Sequence, residues 1–140
     1  MTMHGDEQYE RGLRALRDAG GDAGQRLVDA LADISPELCQ RAVAWSYGDL
    51  YGRSELPRRD RELVSMGVLA GMGACDAQLE VHVNGALNAG VTPGEVVEAL
   101  MQTVVYCGVP RAVNATLVAK KVFAERGLLP VGAGAARGTR

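Results

Sequence analysis

The stretch Thr92-Pro93-Gly94-Glu95 constrains the fold more than any other. It has the spacing of a capping box, in which a threonine hydroxyl and a glutamate three residues later satisfy each other's backbone N–H groups. Proline sits at the first helical position, where its missing N–H costs nothing. Val96, Val97, Leu100, Met101, Val104 and Val105 follow at helical intervals until Cys107-Gly108-Val109-Pro110 breaks the run.

The same grammar repeats along the chain. A first helix is expected over about Asp6 to Ala19, with Tyr9, Leu13 and Leu16 on one face, stopping at Gly20-Gly21. A second runs from about Asp22, through Leu27, Val28 and Leu31, to near Ser35. Ser35-Pro36-Glu37 offers a hydroxyl cap, a first-turn proline and an early carboxylate, and opens the segment containing Trp45. Pro57 starts a helix with a Leu63, Met66, Leu69 and Ala70 stripe. Another runs from about Cys75 to Ala89, with Gly90 as its cap, and the last spans about Pro110 to Arg126. No run of β-branched residues alternates with period two. The fold class is therefore all-α, a single helical domain over residues 1–127 with about six or seven helices. The tail 128–140, GLLPVGAGAARGTR apart from its first glycine, has little to bury and is expected to be disordered.

At 140 residues the chain suits one domain with a core. Apolar residues make up 47% of it but aromatics only 4%, so that core must be built from Ala, Val, Leu and Met. With 15 basic and 17 acidic residues and no long basic cluster, nucleic acid is not an expected partner. No apolar stretch reaches a membrane span and the N-terminus lacks a signal-peptide core, which points to a soluble, cytoplasmic protein. Cys39, Cys75 and Cys107 are odd in number and widely spaced, against a disulfide framework. With only His4, in a terminus expected to fray, and His82, no metal site is expected either.

Chemistry concentrates in CDAQLEVH, Cys75 to His82. Cys75, Gln78 and His82 stand at intervals of three and four, on one helical face. Leu79, Val83 and Ala86 lie on or beside that stripe, so His82 is expected in apolar surroundings that favour neutral imidazole, able to act as a base or donor. Each residue also has a plain structural reading. His82 can be a satisfied core histidine, Cys75 a small buried hydrophobe with nothing to stabilise a thiolate, and Gln78 a surface amide. Glu62 can be one partner of an exposed ion pair, and Tyr106, at a helix end, a packing residue. The distance of Glu62 from His82 depends on the turn at Gly73-Ala74.

These residues carry a resemblance. YGDLYGRSELPRRDRELVSMGVLAGMG, HVNGALNAGVTPGEVVEAL and VVYCGVPRAVNA are similar to the carboxymuconolactone decarboxylase family, whose all-helical fold is shared with the alkylhydroperoxidase AhpD group. The resemblance runs from about Tyr47 to Glu125. In the peroxidase branch a glutamate, two cysteines in Cys-x-x-Cys and a histidine activate a thiolate. Glu62, Cys75 and His82 resemble three of these, with one extra residue between Glu62 and Cys75, but Gln78 stands at the second cysteine and can form neither thiolate nor disulfide. The decarboxylase branch keeps the histidine without the thiol pair. There the position of Gln78 often bears a carboxylate, so glutamine keeps hydrogen bonding and loses charge.

The resemblance implies a cofactor-free decarboxylase acting on a small carboxylated lactone, or a related lyase, isomerase or cyclase acting on an enolisable acid or polyketide. Loss of carbon dioxide leaves a dienolate that His82 protonates, with Gln78 and Glu62 in support. Tyr106 and Cys75 are candidate substrate contacts, and Arg58 or Arg111 would hold a carboxylate. It further implies a homo-oligomer, trimer or hexamer. A peroxidase using Cys75 alone, and a noncatalytic binding protein that has kept the fold, stand as the competing expectations.

Overall fold

The computed structural model describes residues 3–132. They form seven α-helices and one 3-10 turn: α1 (Met3–Leu31), α2 (Pro36–Ser46), the 3-10 turn (Leu50–Gly52), α3 (Arg58–Met72), α4 (Asp76–Asn88), α5 (Pro93–Gln102), the single-turn α6 (Val104–Cys107) and α7 (Val109–Glu125). The all-α expectation holds among the described residues. No helix among them is long and apolar enough to cross a membrane.

The expected break at Gly20-Gly21 is a bend inside α1, where Gly21 alone leaves helical geometry (φ 53°, ψ −135°). The terminus around His4 is helical from Met3, and the side chains of its first residues lie outside the described ones. Ser35 is the N-cap of α2, but its hydroxyl makes no capping bond, so proline and the early Glu37 mark that start. The capping box forms in full: Thr92 Oγ1 accepts from the Glu95 N–H at 3.1 Å, and Glu95 Oε2 accepts from the Thr92 N–H at 2.8 Å.

The run expected to continue past Val105 is interrupted at Thr103. Its hydroxyl donates to the Leu100 carbonyl at 2.6 Å, a local bond that competes with the helical ladder. At the other end, Gly127 (φ 67°) closes α7, with the Leu128 N–H bonding Phe123 O at 2.8 Å. Leu128, placed by the sequence in the tail, thus packs against the core, and the tail beyond Gly132 lies outside the described residues.

The core has two centres. Met66, Val83, Leu100, Ala119, Val122 and Phe123 join α3, α4, α5 and α7, while Leu16, Ala19, Cys39, Val43 and Val81 join α1, α2 and α4. Helix α4 contributes to both, with Val81 facing one and Val83 the other. His82 stands between them, at the seam.

Candidate functional site

Gly73 (φ 72°) and Ala74 (φ 54°) reverse the chain between α3 and α4. The two helices run antiparallel, which brings Glu62, in the first turns of α3, opposite His82 and Gly85 in the second half of α4. Glu62 is fully buried, the one charged residue among the described buried set. Its Oε2 lies 2.7 Å from His82 Nδ1. The approach depends on Gly85: a Cβ there would stand 2.6 Å from Glu62 Oε1 and 2.8 Å from its Cδ.

An ionised carboxylate can only accept, so Nδ1 carries the proton of this bond and Nε2 is the ring nitrogen left for a ligand. The apolar setting expected for His82 is therefore broken by a buried carboxylate on one side. Tyr51 adds a second polar neighbour, its hydroxyl 3.1 Å from Nδ1 and 2.6 Å from Ser65 Oγ. Burial pushes the Tyr51 phenol up to about 12, so near neutral pH the hydroxyl keeps a proton that it can give to Ser65 Oγ but not to a protonated Nδ1. Tyr47 stacks on Tyr51 with centroids 4.7 Å apart and lies nearly parallel to the His82 ring at 6.3 Å. Burial first, and the nearby Glu62 second, push its phenol up as well.

His82 and Gln78 line one cavity of about 190 Å³, whose other walls are mostly apolar side chains of α1 and α2, with Tyr47 at its edge. Tyr47 and Tyr51 also border a second cavity of about 430 Å³, which contains Arg11, Arg53 and Arg58. Arg58 links this cavity to the dyad, its Nε 4.0 Å from Glu62 Oε1.

Of the residues singled out in the sequence, the structure thus brings together His82, Glu62, Gln78 and Arg58. Cys75 and Arg111 line a different cavity, of about 770 Å³, between α7 and the α3–α4 turn. Arg111 is tied there through Nη1 to the Met72 carbonyl at 2.5 Å. Tyr106 projects from α6 with 92% of its surface exposed and lines none of these three cavities. Sequence reasoning gave no role to Tyr47, Tyr51 or Ser65. The signals were the four-residue spacing of the two tyrosines in YGDLY and the three-residue spacing of Glu62 and Ser65, which puts both on one face of α3.

The sequence model of the carboxymuconolactone decarboxylase family matches residues 36–121, well over half of the chain and every residue of the dyad and its tyrosines. The chain belongs to the carboxymuconolactone decarboxylase family. It is 29% identical over 129 residues to a 4-carboxymuconolactone decarboxylase of Acinetobacter baylyi, covering 91% of this chain and 96% of that one. It is 30% identical over 118 residues to a nitrosuccinic acid decarboxylase of Metarhizium robertsii, covering 82% and 80%. An uncharacterized 15.0 kDa protein of Paracoccus denitrificans is 29% identical over 97 residues, covering 69% and 72%.

Proposed function

We propose that this protein is a cofactor-free decarboxylase of a small carboxylated lactone or a related acid, with His82 as proton carrier. The observation that carries the reading is the buried Glu62–His82 pair, whose histidine lines a small, mostly apolar cavity. At about 190 Å³ that cavity falls below the roughly 300–1,000 Å³ of drug-sized sites, which suits a small acid. The names of the two decarboxylases support the reaction class.

Loss of carbon dioxide from a γ-carboxylated butenolide leaves an electron pair that delocalises through the alkene into the lactone carbonyl. The resulting dienolate needs one proton at carbon. Imidazolium at His82 gives it from Nε2, and the Glu62 carboxylate stabilises that imidazolium beforehand through Nδ1. Gln78, exposed at the cavity, offers an amide donor to an oxygen where charge develops, while Arg58 lines the neighbouring cavity that shares Tyr47 and reaches the pair through Glu62. Cys75 lines the other large cavity, which disfavours a thiol peroxidase coupled to His82.

A second reading keeps the dienolate and omits carbon dioxide loss: a lyase, isomerase or cyclase working on an enolisable lactone or polyketide. The neutral amide of Gln78 favours it, since a carboxylate at that cavity wall would supply a second base. The two relatives' names also differ in substrate, a lactone and a nitro acid.

The oligomeric state belongs to the same proposal. Val64, Val68 and Met72 form an exposed stripe along α3, and Met101, Val105, Val113 and Leu117 are exposed on α5, α6 and α7. Apolar area of this extent suits burial between copies, as a homotrimer or hexamer, and a monomer by light scattering at micromolar concentration would contradict it. The three free cysteines suit a cytoplasmic protein.

The test is carbon dioxide release from 4-carboxymuconolactone generated in situ, by the purified protein and by His82→Ala. Release by the first, lost in the second, is the expected result. A folded sample that releases none would move the assignment to the second reading.

A further inference from the structure

The cavity of about 430 Å³ beside the site holds three guanidiniums, Arg11, Arg53 and Arg58, against one carboxylate, Asp49. Among the described residues Arg11 and Arg53 form no salt bridge, with Asp49 or with any other acid. Unpaired like charges gathered on a concave wall raise the local concentration of anions. The backbone that carries them is held in place. Arg11 Nε donates to the Gly48 carbonyl at 3.1 Å, and Gly48 is packed so closely that a Cβ there would collide with the Gln8 and Ala44 carbonyls. Arg61 donates from Nε to the Leu56 carbonyl at 3.0 Å and from Nη2 to the Arg53 carbonyl at 3.2 Å, which pins the segment bearing Arg53. Arg58 Nε and Nη2 are closed to solvent, so that edge adds charge to the cavity and no contact. In size the cavity falls within the roughly 300–1,000 Å³ of small-molecule sites, and Tyr47 is the one residue it shares with the His82 cavity.

We propose that this cavity is a second binding site, separate from the His82 cavity, for a small dicarboxylate held by Arg11 and Arg53. With its Nε committed to Gly48, Arg11 presents its two terminal nitrogens, and Arg53 presents a whole guanidinium that makes no side-chain bond among the described residues. A guanidinium fork accepts the paired oxygens of a carboxylate or of a phosphate. The apolar wall decides between them. Ala15, Tyr47 and Tyr51 line the same cavity, and a short carbon chain can cover them where an inorganic anion would leave them wet. Two carboxylates rather than one match the positive charge that Asp49 leaves over.

The test is isothermal titration calorimetry of the full chain with succinate, butyrate and inorganic phosphate at fixed pH and ionic strength. Butyrate keeps the carbon chain of succinate and one of its carboxylates. Succinate is expected to saturate a single site and to bind about tenfold more tightly than either of the others. Arg53→Gln and Arg11→Gln should each weaken succinate about tenfold, whereas Gln78→Leu, which alters the His82 cavity instead, should bind it as the wild type does. Absence of saturable succinate binding would overturn the proposal, as would wild-type affinity in folded Arg53→Gln or lost affinity in folded Gln78→Leu. Butyrate bound as tightly as succinate, or phosphate bound more tightly, would overturn the assignment to a dicarboxylate. If Arg11→Gln, which frees the Gly48 carbonyl, does not fold, Arg53→Gln decides. No turnover enters this measurement, so failure of the decarboxylase reading shows in the carbon dioxide assay and failure of this site shows here.

Discussion

Gly85→Ala is the sharpest perturbation of the dyad that leaves its own side chains untouched. The added Cβ would stand 2.6 Å from Glu62 Oε1, 2.8 Å from Cδ and 3.0 Å from Oε2. That is roughly 1 Å short of comfortable van der Waals contact at about 3.5 Å. Glu62 has no solvent to retreat into, so its carboxylate must withdraw from Nδ1 or α3 and α4 must part. Losing a hydrogen bond between charged groups costs about 1.5–3 kcal/mol, against about 1 kcal/mol gained by alanine over glycine within a helix. The net loss is about 0.5–2 kcal/mol, a fall in Tm of roughly 2–8 °C for a domain of this size. Activity should suffer far more, because a misplacement of about 1 Å in a proton-transfer group can cost about 100-fold. The assay pairs Tm with kcat/KM for the proposed substrate, and Gly67→Ala is the control, since a Cβ there meets nothing within 4 Å. Wild-type kcat/KM in a Gly85→Ala protein would refute the claim that the Glu62–His82 contact drives the chemistry.

Tyr51→Phe removes the hydroxyl between Ser65 and Nδ1 but leaves Glu62 in place, so kcat should fall about tenfold or less, well short of the effect of Glu62→Gln; equal losses in side-by-side kinetics would count against the ranking. Thr92→Ala removes the capping hydroxyl of α5 and should cost about 1 kcal/mol in urea denaturation with kcat unchanged. Glu80 is partly buried, which raises its carboxyl, but bonds to Lys121 at 2.8 Å and Arg26 at 2.7 Å outweigh burial and hold it below the ordinary value. A depressed folded-state value contributes stability above the unfolded value and loses it as pH falls through the folded one. Tm should therefore decline more steeply on acidification below about pH 4.5 in wild type than in Glu80→Gln, and parallel curves would contradict this.

Helix boundaries were legible where the backbone has few options. Gly21, Gly73, Gly108 and Gly127 all adopt positive φ at or beside the breaks read from them, and Thr92-Pro93-Gly94-Glu95 caps as its spacing requires. The interruption at Thr103 was not legible, because it rests on a hydroxyl bonding its own helix rather than on a breaker residue. His82 could be picked out as the residue most apt for proton transfer, but its partner could not be placed. That pairing follows from the reversal at Gly73-Ala74, where an alanine unexpectedly takes φ 54°. The spacing of Cys75 from Gln78 and His82 predicts a shared helical face, yet Cys75 is the N-cap of α4 (φ −120°, ψ 37°), outside the helical repeat that such spacing requires. Tyr47 and Tyr51 reach His82 from a segment 31 or more residues away, a contact that tertiary packing alone creates.

The central claim is that His82, held by Glu62, delivers a proton to carbon after carbon dioxide leaves. It is tested most directly by ¹H NMR of 4-carboxymuconolactone turnover in deuterated buffer, with wild type, Glu62→Gln and His82→Ala at equal concentration. The account predicts enol-lactone with one deuterium at the reprotonated carbon in wild type, slowed in Glu62→Gln and absent above the uncatalysed background in His82→Ala. Deuterated product formed by His82→Ala at the wild-type rate would contradict it.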